Sequence, residues 1–338
     1  MTDAPDFHPA RLEGYLKSRW GCGTMTLDRI GGGQSNPTYA LRIGSRDLVL
    51  RKQPSGPILR GAHAVDREFR VLGALAGTSV PVPQPVLFEA DPAVIGTPFY
   101  LMERVEGRVL ADCALPDIPR DDRAAIWMGL ADALAKLHAV DPMAIGLSDF
   151  GKPGNYFERQ LARWTRQWHS ADVAPIPDLE VVADWLHATL PADDGRVSIA
   201  HGDFRMGNMI FHPTEPRVVA ILDWELSTLG HPMADLGFAA MPWHSSPDEY
   251  GGILGLDHQG LGLPSEPDFV ARYRAALPDA PRLLPFHKVF ALFRFAVIFI
   301  GIAERVRQGT AAGGNADRLG PLAERFAARG RDLIEGLG

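Results

Sequence analysis

The stretch AHGDFRMGNMIF, Ala200 to Phe211, constrains the chain more than any other. It sets a His, an Asp, an Arg and an Asn within eight residues, directly after the apolar run RVSIA. The pattern returns at AILDWE, where Asp223 and Glu225 close another apolar run. Strongly polar side chains at the ends of strand-like runs must find partners or water. NMIF and RVVAIL read as two short strands, and HPTEPR between them as a turn whose two prolines end the pairing on each side. An antiparallel hairpin centred on Glu215–Pro216 sets Asn208 opposite Asp223. Asp203 lies five residues before Asn208, on the loop feeding the first strand. The expected fold therefore gathers Asp203, Asn208 and Asp223 at one point. Two carboxylates and an amide oxygen suit a hard divalent cation such as Mg²⁺, which takes one or two protein carboxylates, keeps waters and binds substrate phosphates.

The rest of the chain falls into two parts. LDRI, TYALRI and DLVLRK are short strand patterns around the glycine-rich turn GGGQSNP. AVDREFRVLGALAG places Val65, Phe69, Leu72 and Leu75 on one helical face, with Glu68 on its rim. VPVPQPVLFEA is extended, since Pro81, Pro83 and Pro85 forbid a helix. PFYLMERVEG is a further strand, ending at Gly107. Beyond it the patterns turn helical. DDRAAIWMGLADALAKLHAV carries Ile126, Leu130, Leu134 and Leu137 on one face, and NYFERQLARWTRQWHSA is rich in Trp and Arg. From Phe269 onward the chain is nearly all helical pattern, preceded by the Gly-rich loop EYGGILGLDHQGLGLPS. The expectation is an α+β fold with a strand-rich lobe over residues 1–104 and a helix-rich lobe over 105–338.

Bulk properties narrow the function classes. A chain of 338 residues is long enough for two domains or one large bilobal unit. Its net charge of −7 argues against nucleic acid as the main partner. Cys22 and Cys113 stand far apart with no CxxC, which fits reduced thiols in a reducing compartment. The acidic, Pro-containing N-terminus MTDAPDFHPA is not a signal peptide, so a cytoplasmic location is expected. VFALFRFAVIFIGIA is short for a membrane span and contains Arg294, so it reads as a buried helix and no membrane partner is expected. Arg294 leaves two readings open. It pairs with an acidic residue of a neighbouring helix, or it meets an anionic acceptor, together with Arg305 or Arg307.

The order H-x-D-x-x-x-x-N, a strand pair, then D is the spacing of a kinase catalytic loop and its metal-binding Asp. HGDFRMGN, ILDWE and HPMADL together resemble the aminoglycoside phosphotransferase and choline kinase-like family of small-molecule kinases. FHPTEPRVVAILDWELSTLGHPMADLGF resembles more narrowly the kinase-like domain fused to some acyl-CoA dehydrogenases. The resemblance covers nearly the whole chain. It implies a bilobal protein-kinase-like fold, ATP and Mg²⁺. It makes Asp203 the catalytic residue that accepts the acceptor's hydroxyl proton, and gives Asn208 and Asp223 to the metal. GGGQSNPTY then covers the phosphates through Gly32, Gly33, Ser35 and Asn36. Arg51, with Lys52 in reserve, meets the phosphates and pairs with Glu68. The backbone around Glu103 and Val105 receives adenine.

Two departures from the protein-kinase pattern matter. The metal motif reads Asp223-Trp224-Glu225, which leaves Glu225 either assisting the metal or structural. Only LSTLGH separates Glu225 from PMADL, so no activation loop of protein-kinase length exists and a protein substrate is disfavoured. Asp235 reads as a tie on the catalytic-loop backbone, and His201 as a residue that orders the loop. GLSDFGK fits the first seven places of a P-loop, but Pro153 follows and no strand precedes it. The expected activity is transfer of the γ-phosphate to a hydroxyl of a small molecule, with a hydroxyacyl-CoA or hydroxy acid favoured as acceptor. An aminoglycoside-type kinase, a non-catalytic nucleotide-binding scaffold and a metal hydrolase built on His201, Asp203 and Asp223 are the alternatives.

Overall fold

A computed structural model describes residues 5–21, 23–31, 36–56, 63–307 and 321–337. Cys22 and three of the expected phosphate-loop residues, Gly32, Gly33 and Ser35, lie outside them. The chain divides into two compact units, Met1–Glu106 with Val219–Glu225, and Gly107–Val218 with Leu226–Gly338. The return of Val219–Glu225 to the first unit joins segments that a linear reading keeps apart.

The first unit is built on a five-stranded sheet of order β1-β2-β3-β5-β4. Its strands are β1 (Met25–Arg29), β2 (Thr38–Ile43), β3 (Arg46–Lys52), β4 (Pro85–Glu89) and β5 (Phe99–Glu103), with antiparallel neighbours. β2 turns into β3 through Gly44, whose φ of 58° suits glycine. Strand alternation sends Leu48, Leu50 and Lys52 to one face and Val49 and Arg51 to the other. Helix α1 (Pro9–Trp20) packs Leu12 and Leu16 on the first face, with Tyr39, Leu41, Ile43, Phe99 and Leu101. This helix has no counterpart in the sequence patterns read above. Helix α2 (Val65–Leu75) packs against β4 and β5 and buries Val65, Val71, Leu72 and Leu75. Two expectations are corrected here. Glu68 is 1% exposed, inside rather than on the rim, because Asn36 and Tyr100 donate to its carboxylate and Arg51 stands beside it. The strand of PFYLMERVEG ends at Glu103 rather than Gly107, with the Arg104 N–H making a last bond to the Asp47 carbonyl of β3.

The second unit is helical around α9 (Pro285–Arg307), a 23-residue helix apolar enough to be enclosed by its neighbours. Helices α4 (Tyr156–His169), α5 (Pro177–Ala188), α6 (Pro232–Ala239) and α10 (Leu322–Glu335) pack against it, while α3 (Arg120–His138) packs on α8 (Glu266–Ala276). The Gly-rich loop before α8 holds one short helix, α7 (His258–Leu261). Among the described residues no helix is long and apolar enough to cross a membrane. Strand β6 (Ser198–Ala200) pairs antiparallel with β9 (Thr228–Gly230), bringing LSTLGH under the loop that follows β6. Asn208 ends a single 3₁₀ turn, Met206–Asn208, and β7 (Met209–Phe211) starts only after it. The His212 N–H bonds the Arg217 carbonyl and closes the HPTEPR turn before β8 (Val218–Ile221).

Candidate active site

The loop after β6 is held from inside the second unit. Asp235, one turn into α6 and 1% exposed, accepts the His201 N–H at 2.6 Å and the Gly202 N–H at 2.9 Å. His138 Nε2 lies 3.4 Å from the same carboxylate, and its Nδ1 is 2.8 Å from the Tyr273 hydroxyl. Burial raises the Asp235 carboxyl, but the His138 contact and the backbone donors outweigh it and leave it below its ordinary value. His201 is fully buried, and its Nδ1 accepts the Asp203 N–H at 3.1 Å. That nitrogen is therefore taken up by the backbone of its own loop. Gly202 has φ 83°, and a Cβ there would meet the Leu226 carbonyl oxygen at 2.8 Å. Only glycine fits the turn that presents Asp203.

The Asp203 carboxylate is half-buried. Its Oδ2 accepts Asn208 Nδ2 at 2.7 Å and Arg205 Nε at 3.2 Å. Asn208 Nδ2 also bonds the Asp203 carbonyl at 2.9 Å. Both amide hydrogens of Asn208 are thus committed to Asp203, and its Oδ1 accepts no hydrogen bond among the described residues. Asp203 Oδ1 is likewise unengaged among them. Arg205 reaches from Asp203 towards the Tyr250 ring, its guanidinium carbon 5.6 Å from the ring centre. Arg205 was not singled out from sequence, although it stands two residues from Asp203.

In the first unit Arg51 joins two carboxylates. Its Nη2 donates to Asp223 Oδ1 at 2.6 Å, and its Nε lies 2.9 Å from Glu68 Oε2, an ion contact without hydrogen-bond alignment. Glu225 lies 4.0 Å from Arg51. Glu68 also accepts Asn36 Nδ2 at 2.6 Å and the Tyr100 hydroxyl at 3.0 Å. Burial pushes its carboxyl up to about 7, opposed by Arg51. Asn36 is 3% exposed, and its Oδ1 faces His63 Nδ1 at 3.0 Å. Both ends of the Asn36 side chain are therefore engaged inside the unit. Lys52 points the other way, fully buried, with Nζ 2.8 and 2.9 Å from the Asp6 carboxylate. Strand parity thus separates the two basic candidates. Tyr100 belongs to this network and was missed, although its place in β5, opposite Arg51, carries it there. At Glu103–Val105 the Glu103 N–H bonds Gln84, while the Val105 N–H has no backbone partner among the described residues.

The donor chemistry of each unit agrees with Mg²⁺. In the first, Asp223 supplies a partly exposed carboxylate. In the second, Asn208 supplies an amide oxygen whose nitrogen is already committed. Each donor by itself leaves room for phosphate oxygens and water on such a cation. Among the described residues no group of three or more His, Cys, Asp or Glu gathers as a metal site by itself.

Beside the catalytic loop, the second unit holds a small pocket of about 40 Å³. Its wall includes Trp127, Leu130, Met206, Phe238, Tyr250 and Phe295, with Arg205 and Glu249 as charged members. Glu249 is taken up by Arg329, whose Nε and Nη2 reach its two oxygens at 2.8 and 3.1 Å.

Comparisons with known proteins agree with this architecture. The model of the phosphotransferase enzyme family known as APH matches residues 26–290. Mouse acyl-CoA dehydrogenase family member 10 is 41% identical over 323 residues, covering 94% of this chain and 30% of that protein. Chicken acyl-CoA dehydrogenase family member 11 is 38% identical, covering 93% and 41%. The chain thus spans well under half the length of these relatives. A Ralstonia eutropha protein provisionally named an aminoglycoside phosphotransferase superposes with TM-score 0.87 at 41% identity, covering 98% of this chain and 99% of that one. The aminoglycoside phosphotransferase APH(4)-Ia, in a ternary complex with AMP-PNP and hygromycin B, shares the fold at TM-score 0.64 and 15% identity, covering 96% and 99%. The chain belongs to the APH phosphotransferase family and has its protein-kinase-like α+β fold.

Proposed function

We propose that the chain transfers the γ-phosphate of ATP, with Mg²⁺, to a hydroxyl group of a small molecule. The observation that carries this reading is the Asp203 carboxylate, fixed at Oδ2 by Asn208 and Arg205 and unengaged at Oδ1. In the proposed step Asp203 Oδ1 takes the acceptor's hydroxyl proton as the acceptor oxygen bonds the γ-phosphorus. The bond from that phosphorus to the β,γ-bridging oxygen breaks, and ADP leaves. Mg²⁺, when bound, would supply positive charge that offsets the charge of the phosphates. Asn208 Oδ1 and the Asp223 carboxylate are its proposed ligands, and Arg51, oriented by Glu68, is the proposed cation for the phosphates. Gly32, Gly33 and Ser35 are proposed to cover the phosphates, with Asn36 anchoring that loop. Backbone groups at Glu103 and Val105 are proposed for adenine. AMP-PNP in the APH(4)-Ia complex supports the nucleotide.

The acceptor is proposed to be a hydroxy acid or hydroxyacyl thioester. The cavity wall supports this over a polycationic aminoglycoside. It is apolar and aromatic, and its carboxylate Glu249 is already neutralised by Arg329, so it offers little to a polycation. The relatives named as acyl-CoA dehydrogenase family members favour the same class. The test is Mg²⁺-dependent ADP release with hydroxyacyl-CoAs, hydroxy acids, amino alcohols and aminoglycosides, for wild type and Asp203→Asn. The expected result is stimulation by the anionic hydroxy compounds, a loss of ~10²–10⁴ in turnover for Asp203→Asn, and retained ATP binding. Stimulation by aminoglycosides alone overturns the acceptor class, and full turnover by Asp203→Asn overturns the base.

A further inference from the structure

Arg294 stands in the middle of α9, 8% exposed, among Phe290, Ala291, Phe293, Phe295 and Val297. A buried guanidinium normally faces a carboxylate, because an unpaired charge in an apolar interior is costly. Here no carboxylate lies within ion-pair distance among the described residues. The guanidinium carbon instead sits 5.5 Å from the Trp164 ring centre and 5.6 Å from that of Phe238. Two aromatic faces, from α4 and α6, offer it a quadrupole in place of a counter-ion. Its one polar contact among the described residues is the donation from Nη2 to the Gly202 carbonyl. The sequence reading of a partner carboxylate on a neighbouring helix gives way to this contact.

Gly202 is therefore gripped at both its peptide groups. Its N–H goes to the Asp235 carboxylate at 2.9 Å and its C=O to Arg294. The carbonyl that Arg294 holds belongs to the peptide whose N–H is that of Asp203, and that N–H reaches His201 Nδ1 at 3.1 Å. Donation into the carbonyl polarises this peptide and strengthens its N–H as a donor, so the two bonds reinforce each other. Glycine at φ 83° has a wide conformational range, and two opposite buried charges remove it. A Leu or Met at position 294 would complete the apolar helix without burying a charge. What the guanidinium adds is the orientation of the Gly202–Asp203 peptide.

We propose that Arg294 is a positioning residue for the phosphotransfer step, holding Asp203 in its working direction through the Gly202 carbonyl. This rests on the phosphotransferase reading, in which Asp203 is the base. The test uses the whole chain with Arg294→Met and Arg294→Lys, and reads two things. One is kcat and KM for MgATP with the best acceptor of the panel, or MgATP hydrolysis alone if none stimulates. The other is amide hydrogen exchange of residues 201–208 compared with α9. In Arg294→Met, turnover should fall about 10–100-fold, the usual effect of losing a support behind a reacting group, with KM for ATP within about twofold. Exchange at Gly202 and Asp203 should rise at least about tenfold while α9 keeps its protection. Arg294→Lys restores one donor and should recover part of both. An unchanged loop exchange overturns the proposal, and so does an equal loosening of loop and α9. A raised acceptor KM with intact kcat overturns it too, because it places Arg294 against the acceptor. If Arg294→Met does not fold, Arg294→Lys is judged by the same criteria. If the wild type neither binds nor hydrolyses ATP, the phosphotransferase reading fails, while the exchange data still decide whether Arg294 holds the loop.

Discussion

Asp235→Asn is the sharpest probe of the catalytic loop's support. The substitution keeps shape and volume and removes one acceptor. Asp235 Oδ1 takes the Gly202 N–H and Oδ2 the His201 N–H, so whichever way the amide turns, its NH₂ faces a backbone donor. One buried N–H then loses its partner, which costs about 1–3 kcal/mol, and the surviving bond loses its charge assistance. The neutral amide escapes the desolvation borne by the carboxylate, so a net loss of about 2–4 kcal/mol is expected. For a unit of this size that lowers the melting temperature by roughly 5–15 °C. The pH dependence separates this cause from general damage. A carboxyl held below its ordinary value of 3.8 stabilises the fold above that pH, and the contribution disappears as pH falls through the native value. The substituted amide has nothing to protonate. The gap between wild type and variant should therefore stay level from about pH 5 to 8 and narrow below about 3.8. Calorimetric scans across that range provide the measurement. A variant melting within about 1 °C of wild type at neutral pH, or a gap that does not close in acid, refutes the reasoning.

Other substitutions test the remaining geometry. Arg51→Met leaves Glu68 buried without its cation, so the Glu68 carboxyl should rise further above about 7 and MgATP affinity should fall by roughly tenfold or more in calorimetric titration. Lys52→Met, on the opposite face of β3, should cost at most about 1 kcal/mol of stability, since Asp6 and Ser55 are exposed and keep the bond between them, and should leave MgATP affinity within about twofold. Weaker nucleotide binding in Lys52→Met alone would exchange the two roles. Gly202→Ala forces a side chain onto a φ of 83° and against the Leu226 carbonyl, so it should lose about 1–3 kcal/mol and most turnover while still binding nucleotide. Burial and the neighbouring Asp112 push the Cys113 thiol up to about 12, so at pH 8 only about one thiol in 10⁴ is ionised. Peptide mass spectrometry should find Cys113 alkylated by iodoacetamide far more slowly than an exposed thiol, and rapid labelling would contradict that environment.

Local pattern carried much of this protein. The helical spacing of Ile126, Leu130, Leu134 and Leu137 predicts the buried face of α3, and all four are buried. The apolar run from Val289 predicts a buried helix and α9 is one. The motifs HGDFRMGN and ILDWE, in order and at kinase spacing, pointed to the family before any geometry. They work because residues a few positions apart share one loop, and a loop's chemistry is written in consecutive letters.

Pairings across long stretches of chain were settled only in three dimensions. Alternation along β3 says that Arg51 and Lys52 face opposite ways, but only the packing of α2 and α1 says which side holds Glu68 and which holds Asp6. Glu68 reads as a rim residue because a helical wheel counts apolar neighbours and cannot see Asn36 and Tyr100 arriving from elsewhere to satisfy a buried carboxylate. β9 is three residues of Thr, Leu and Gly, too short for a periodic signal, and it exists because β6 offers it a ladder. Arg294 finds its acceptor 92 residues away, on a glycine carbonyl. Every residue carries such a carbonyl, so nothing in the letter at position 202 marks it as a partner. Its selection is made by tertiary packing, which brings α9, α4 and α6 around one peptide.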